Sequence, residues 1–80
     1  MRIDKFLKVS RLIKRRTLAG EACSQGKVKI NGKTAKPGSS VAIGDIIEIR
    51  FGSNVIKAEV KSISEVVSKE GSKEMYSVLD

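Results

Sequence analysis

Three consecutive cations, Lys14, Arg15 and Arg16, stand directly before a run of helix-forming residues. The start of a helix exposes unpaired N–H groups and carries the positive end of the helix dipole. A cation there is unfavourable by about 0.3–1 kcal/mol at a protein surface, whereas an anion is stabilised. The chemistry that this cluster suits is the binding of a phosphate group, so we expect an external anion at this point.

The basic charge is concentrated in the first half of the chain. Residues 1–36 contain eleven lysines and arginines against two acidic residues, a net charge of +9, whereas residues 37–80 contain five against seven, a net charge of −2. Such asymmetry favours binding of a polyanion by one part of a domain, although a solvated basic surface is the ordinary explanation for any single lysine.

Composition argues against catalysis. The chain has no histidine, which removes the commonest general base and metal ligand, and its seven glycines fit neither phosphate-binding fingerprint. We therefore predict no enzymatic activity, no metal and no cofactor. The single cysteine, Cys23, is expected to be a small buried hydrophobic residue in a reduced, intracellular chain. Without a signal peptide or an apolar membrane-spanning segment, we expect a cytoplasmic location and no membrane partner.

Apolar residues at helical spacing predict two short helices. Ile3, Phe6 and Leu7 indicate a first helix over residues 3–9. A second helix is predicted from Lys14 or Arg15 to Gln25, with Gly26 as its C-terminal cap. Its predicted inward residues are Leu18, Ala19, Ala22 and Cys23, and Leu12 and Ile13 are expected where the helices meet. Gly20 within this helix costs about 1 kcal/mol relative to alanine, which indicates either close packing, the interpretation we favour, or a tolerated defect.

The pattern then changes to strands. Residues 27–30 alternate strictly and are followed by Asn-Gly, the strongest short-range hairpin signal, with a return strand over residues 33–36. A second hairpin is predicted from strands over residues 46–51 and 55–61. Between the hairpins, Val41 and Ile43 are expected to be buried anchors. Ile63, Val66 and Val67 show no clear period, residues 68–74 are predicted to be a polar loop, and residues 75–79 a last strand.

These elements predict an α+β domain in which two short N-terminal helices pack on a small antiparallel sheet. We assign residues 1–52 to the unit that carries the helices and most of the basic charge, and residues 53–80 to strands that complete the same single domain. The initial methionine and the final strand favour a complete chain.

The candidate binding surface consists of the basic residues of the helices and the first hairpin. It comprises Arg2, Lys5, Lys8, Arg11, Lys14, Arg15, Arg16, Lys27, Lys29 and Lys33. A membrane-binding helix would need an apolar face with aromatic anchors, and the candidates in this region are better used in the core. The chain has three aromatic residues, so a platform for stacking single-stranded bases is not expected. Binding to folded RNA by shape, through phosphates and 2′-hydroxyls, fits best. Duplex DNA, which is usually read by a helix in the major groove, stays open as the alternative.

Four short motifs occur in order at spacings that resemble a known RNA-binding family. They are "RIDKFL", "SRLIKRR", "QGKVKINGK" and "GD". Over residues 2–50 they resemble the domain named after ribosomal protein S-four, also called the alpha-L motif. The whole chain resembles its stand-alone branch, the ribosome-associated quality control protein P group, which is related to the fifteen-kilodalton heat-shock protein.

This resemblance implies binding to large ribosomal subunits that still hold peptidyl-tRNA after stalled translation. It implies that Arg2 contacts large-subunit rRNA, that Arg16 contacts tRNA, and that Asp4 orients the neighbouring basic side chains. An acid favoured by the dipole at a helix start is the alternative for Asp4. The implied partner is a ribosome quality control protein H type factor that drives C-terminal alanine tailing, and the chain is expected to be a monomer off the ribosome.

Two alternatives accompany this interpretation. The heat-shock relative acts in ribosome recycling, but it carries a long basic C-terminal extension, whereas this chain ends in the acidic-leaning "SKEGSKEMYSVLD". The same domain is also the RNA-binding module of RNA-modifying enzymes, which would require a catalytic domain beyond residue 80.

Overall fold

Two helices precede a five-stranded antiparallel sheet in a computed structural model that describes residues 1–64 and 69–79. The helices are α1 (Ile3–Val9), α2 (Arg16–Ser24) and the single-turn α3 (Lys69–Ser72). The strands are β1 (Val28–Ile30), β2 (Lys33–Thr34), β3 (Ile46–Phe51), β4 (Asn54–Val60) and β5 (Tyr76–Leu79). The predicted α+β architecture is confirmed. The prediction for Val66 and Val67 lies outside the described residues.

The helix bounds follow the sequence signals closely. Helix α1 covers residues 3–9 as predicted, and α2 begins at Arg16 because Arg15 adopts an extended conformation at the N-cap. At the other end, Gln25 is the C-cap, and Gly26 adopts the left-handed φ of +74° that glycine accommodates best. A β-carbon added at Gly20 would meet Pro37 at 4.0 Å, an ordinary contact, so packing there does not require glycine and the predicted close approach is wrong.

Both predicted hairpins are present, and a third pairing joins them. Strands β1 and β2 meet at Asn31 and Gly32, whose φ values of +52° and +83° match a two-residue turn of type I′. Strands β3 and β4 pair from Ile46 to Asn54 across a turn at residues 52–53. Strand β1 also pairs with β3, which gives the order β2-β1-β3-β4-β5.

The core lies between the two N-terminal helices and one face of the sheet. Its largest fully buried side chains include Phe6, Ile3 and Leu7 from α1 and Ile47 and Ile49 from β3. Further buried members are Ile13, Ala19, Cys23, Val28, Val41, Val60 and Met75, with Leu12 and Ala22 packed against them. Among the described residues no third layer covers the opposite face, where charged side chains alternate with the buried residues of β1 and β3.

Two apolar residues predicted to be buried, Leu18 and Ile43, are exposed instead, and so is Phe51. Leu18 in the first turns of α2 and Phe51 at the end of β3 lie at the margin of the helix–sheet contact and are 47% and 42% exposed. Ile43 is 63% exposed because it lies at the tip of a tight turn. That turn is closed by hydrogen bonds between Ala42 and Asp45, in which each backbone N–H donates to an oxygen of the other residue.

The predicted polar loop at residues 68–74 is wrong in part, because it contains α3. Backbone hydrogen bonds from Glu74 and Met75 to Gly71 and Ser72 close the turn that follows. Ser72 and Met75 are both 1% exposed, so burial stabilises a turn whose polar composition indicated only solvent exposure. In the described parts of the chain, no helix is both long and apolar enough to cross a membrane.

Candidate nucleic-acid interface

A buried carboxylate joins the beginnings of α1 and α2. Asp4, 6% exposed, accepts a hydrogen bond at Oδ2 from Nη2 of Arg2 at 3.1 Å, and Nε of Arg16 lies 3.6 Å from the same oxygen. Its other oxygen accepts the backbone N–H of Lys5 at 2.8 Å. The carboxylate therefore ties together two arginines from different elements, and about half of each arginine side chain remains exposed, 56% for Arg2 and 49% for Arg16.

The backbone at Arg2 is fixed by pairing with a distant loop. Arg2 forms an isolated antiparallel bridge with Ser40. On either side of it, Ile3 donates its backbone N–H to the carbonyl of Ser39, and Val41 donates to the carbonyl of Met1. The Arg2 guanidinium also lies beside Gly38, where an added β-carbon would be 3.8 Å from Nη2. These contacts hold Arg2 at the edge of the fold although it precedes the first helix.

The first turn of α2 contributes neither a capping side chain nor an acidic residue of its own. Arg15 at the N-cap provides no side-chain hydrogen bond, and the first turn contains no acidic residue. Lys14, Arg15 and Arg16 are all exposed there. Because the first N–H groups of a helix have no acceptor within it, this end of α2 is suited to an external phosphate. The structure thus places the three cations where the sequence predicted them.

Arg11 adopts an unusual backbone conformation. It follows α1 with a φ of +64°, in the left-handed region, and its N–H donates to the carbonyl of Lys8. Glycine is the usual residue at such a helix end, and a residue with a side chain pays roughly 1 kcal/mol for this φ. The fold therefore keeps an exposed cation at a position where glycine would be more stable.

The remaining predicted site residues fall on different sides of the molecule. Lys5 is half-buried and Lys8 exposed on α1. Lys33 pairs with Ile30, on the sheet side that packs against the helices. Lys27 and Lys29 flank the buried Val28 and so lie on the opposite, open face. Alternation predicts this placement of Lys27 and Lys29, and the part of the three hairpin lysines in binding stays a prediction.

The open face of the sheet contains two cations that sequence reasoning missed. Arg50 donates its backbone N–H to the carbonyl of Lys27, and both line one depression with Lys29. Lys57 lies on β4 opposite Glu48 of β3, and its Nζ is 3.5 Å from the carboxylate of Glu48. The alternation of residues 46–51 already placed Arg50 outward, but only the pairing of β1 with β3 brings it beside the lysines.

Cys23 is a core residue, as predicted. It is 2% exposed, and burial, followed by the nearby charge of Asp4, raises the pKa of its thiol above the ordinary value of 9.0. The thiol therefore stays protonated and unreactive at neutral pH.

The fold and the arrangement of basic residues define a class of protein. The model of the S4 domain matches residues 1–47, so the chain belongs to the S4 domain family. This is the family that the four motifs resemble, and the match confirms that resemblance.

Similar proteins include factors of ribosome-associated quality control. The RQC P-site tRNA stabilizing factor of Halalkalibacterium halodurans is 53% identical over 78 residues, which cover 98% of this chain and 89% of that protein. The factor of the same name from Listeria innocua is 51% identical over 79 residues, which cover 99% of this chain and 86% of that protein. The trimeric structure of Vibrio cholerae heat shock protein 15 superposes with a TM-score of 0.91 at 34% identity, covering 99% of this chain and 81% of that one.

Proposed function

We propose that this protein is a non-catalytic RNA-binding factor of ribosome-associated quality control. It binds rRNA and P-site tRNA on large subunits that still carry peptidyl-tRNA, and it acts in the cytoplasm. The names of relatives that match nearly the whole chain support this role. The observation that carries the proposal is the cluster of Arg2, Asp4 and Arg16, which holds two half-exposed guanidinium groups beside the start of α2, where the N-cap makes no side-chain hydrogen bond.

Within this proposal each arginine has its own role. Arg2 contacts large-subunit rRNA, Arg16 contacts the tRNA, and Asp4 orients both. A guanidinium presents several N–H donors in a fixed plane and binds phosphate in a bidentate manner, so its orientation matters more than that of a lysine. The lysines and arginines at positions 5, 8, 11, 14, 15 and 33 bind backbone phosphates nearby.

The tRNA contact gives the protein a role that requires binding but no catalysis. A peptidyl-tRNA held on the large subunit after stalling lacks the contacts that the small subunit normally supplies. A small basic domain that bridges rRNA and this tRNA keeps the tRNA in place while a ribosome quality control protein H type factor directs C-terminal alanine tailing. Off the ribosome the protein is a monomer.

Sedimentation of cell lysate through a sucrose gradient at low salt tests this proposal. We expect the wild-type protein to co-sediment with large subunits. Arg2→Ala and Arg16→Ala are expected to move it towards the top of the gradient, and Lys61→Ala, which removes an exposed lysine paired with Glu59, is the matched control. Each arginine variant keeps the other arginine on Asp4, so the free energy of unfolding should change by less than about 0.5 kcal/mol. Wild-type protein that stays at the top would refute the proposal.

Purified subunits separate the tRNA contact from general rRNA binding. We expect tighter binding to large subunits with peptidyl-tRNA than to empty subunits, and we expect Arg16→Ala to abolish that difference while Arg2→Ala weakens binding to both. With about six phosphate contacts, log K should fall against log salt with a slope on the order of −4 to −5. A flat salt response would contradict phosphate binding.

The similarity to heat shock protein 15 supports a second candidate, a ribosome recycling factor of that type. Alanine tailing in a reconstituted reaction distinguishes the two. A quality control factor increases the number of alanines added per stalled chain, whereas a recycling factor leaves tailing unchanged or reduces it.

A further inference from the structure

A groove of about 470 Å³ lies between α2 and the β3–β4 hairpin. Its lining includes Leu18, Gln25, Lys27, Arg50, Phe51 and one acidic residue, Glu21. None of the three residues of the Asp4 cluster contributes to it. Its volume falls within the roughly 300–1,000 Å³ of typical small-ligand sites.

The wall of the groove is apolar and partly aromatic. Phe51 is 42% exposed and Leu18 is 47% exposed, and both line the same groove. The packing of α2 on the sheet leaves this pair uncovered, although the neighbouring Ile49 and Ala19 are buried. An exposed aromatic ring beside a second large apolar side chain offers a flat surface for a planar ligand.

The rim of the groove is basic on the side of the sheet. Lys27 and Arg50 are adjacent because the backbone N–H of Arg50 donates to the carbonyl of Lys27 at 2.9 Å. The same two residues also line the depression on the open face of the sheet, together with Lys29. Lys27 and Arg50 therefore lie where the groove meets the open face of the sheet. There they suit a phosphate whose nucleoside enters the groove.

Gln25 adds a polar side chain that can form hydrogen bonds with a ligand. It is the exposed C-cap of α2, and its side-chain amide offers both donors and an acceptor at the groove. An apolar plane, adjacent cations and one amide are the groups that recognise an unstacked nucleotide in RNA.

We propose that this groove binds one unpaired nucleotide of the RNA partner. The base packs against Phe51 and Leu18, its edge meets the amide of Gln25, and the adjoining phosphate lies at Lys27 and Arg50. This inference rests on the proposed function, since it assigns a second contact to the same RNA-binding protein. The scarcity of aromatic residues excludes a platform for several bases, but a single exposed ring is sufficient for one.

A pair of RNA hairpins tests the groove directly. One hairpin has a single unpaired 2-aminopurine in its stem, and the other is fully paired. We expect wild-type protein to bind the first more tightly by about fivefold to a hundredfold, the range that stacking of one base on an aromatic ring supplies. Stacking on Phe51 should also quench the 2-aminopurine fluorescence. Phe51→Leu keeps an apolar side chain but removes the ring, and we expect it to abolish both effects.

Controls separate this inference from the proposed function. Val78→Ala alters a valine that is 59% exposed on β5 and does not line the groove, and it should retain the preference and the quenching. Equal binding of both hairpins by wild-type protein, unchanged fluorescence, or a Phe51→Leu protein that keeps the preference would refute the groove. If both hairpins bind equally and Arg16→Ala weakens both, the nucleotide site alone fails. If wild-type protein binds neither hairpin, the nucleotide site and RNA binding fail together.

Discussion

The side chains of Asn31 and Asp45 are joined by a hydrogen bond of 3.1 Å, donated by Nδ2 of the asparagine to Oδ1 of the aspartate. The other atom of the Asn31 amide, Oδ1, accepts the backbone N–H of Ile46 at 2.9 Å. The asparagine that shapes the first hairpin turn therefore also holds the loop that enters β3. Two motifs that are separated along the chain, Asn-Gly and Gly-Asp, are thus hydrogen-bonded to each other and fix the start of β3 against the first hairpin.

Asn31→Gly separates these two roles. Glycine adopts the left-handed φ of this turn without strain, so a residue needed only for the turn would tolerate the change. Because both side-chain hydrogen bonds are lost, we expect the free energy of unfolding to fall by about 1–2 kcal/mol. Denaturant unfolding measures it, and an unchanged midpoint would show that the side chain contributes only its backbone preference.

Asp4→Asn tests whether the buried carboxylate orients the two arginines. Asparagine has nearly the same shape and still accepts from the N–H of Lys5, but it lacks the charge that attracts Arg2 and Arg16. We expect RNA affinity to fall severalfold, measured by fluorescence anisotropy with a structured RNA, even though the protein becomes more positive.

The matched control for this prediction is Glu59→Gln, which makes the same charge change beside Lys61. It should raise RNA affinity slightly, because it removes a negative charge without disturbing an arginine. If Asp4→Asn also raises affinity, Asp4 is only a helix-start acid.

Arg11→Gly should stabilise the fold and weaken its function. Glycine removes the cost of the left-handed φ, so we expect the free energy of unfolding to rise by about 1 kcal/mol, while the loss of a cation lowers RNA affinity. Arg11→Ala is the control, since it removes the same charge but keeps the backbone cost. Unchanged RNA affinity in both variants would show that Arg11 does not contribute to binding.

The pH dependence of stability should reveal Cys23. Its folded pKa is raised, so above the ordinary value of 9.0 the unfolded chain loses the thiol proton while the folded chain keeps it. The unfolded state then binds fewer protons, and stability falls as pH rises above about 9. Urea unfolding at pH 8 and pH 10 should show a larger loss for wild-type protein than for Cys23→Ala. Equal losses would mean that the thiol titrates alike in both states.

Local sequence signals predicted the helices and hairpins, whereas the contacts between these elements could be seen only in the structure. Helical spacing and the Asn31-Gly32 turn are properties of a few adjacent residues, so α1 and the first hairpin follow from the sequence. The pairing of β1 with β3 joins segments about twenty residues apart, and no local preference specifies it. Leu18 was predicted to be buried for the same reason, because helical periodicity identifies the inward face of α2 but not how far the neighbouring sheet covers that face.

The candidate site divides in the same way. The three cations at the start of α2 could be located because their position on a helix is local information. The contact between Asp4 and Arg16 depends on how α1 packs on α2. From the sequence alone, Asp4 could either orient the basic side chains or simply be an acid favoured by the helix dipole. Arg50 was missed because its neighbour Lys27 belongs to another strand.

The pairing of Arg2 with Ser40 means that the position of an N-terminal arginine depends on uncharged residues almost forty positions further along the chain. Every basic residue of the predicted binding surface precedes Ser39, so a peptide that ends at Gly38 would possess all of those charges. It would nevertheless lack the backbone partners that hold Met1 and Ile3. Such a peptide should bind RNA as a loose polycation, and discrimination between RNAs should begin only when the chain extends through Val41.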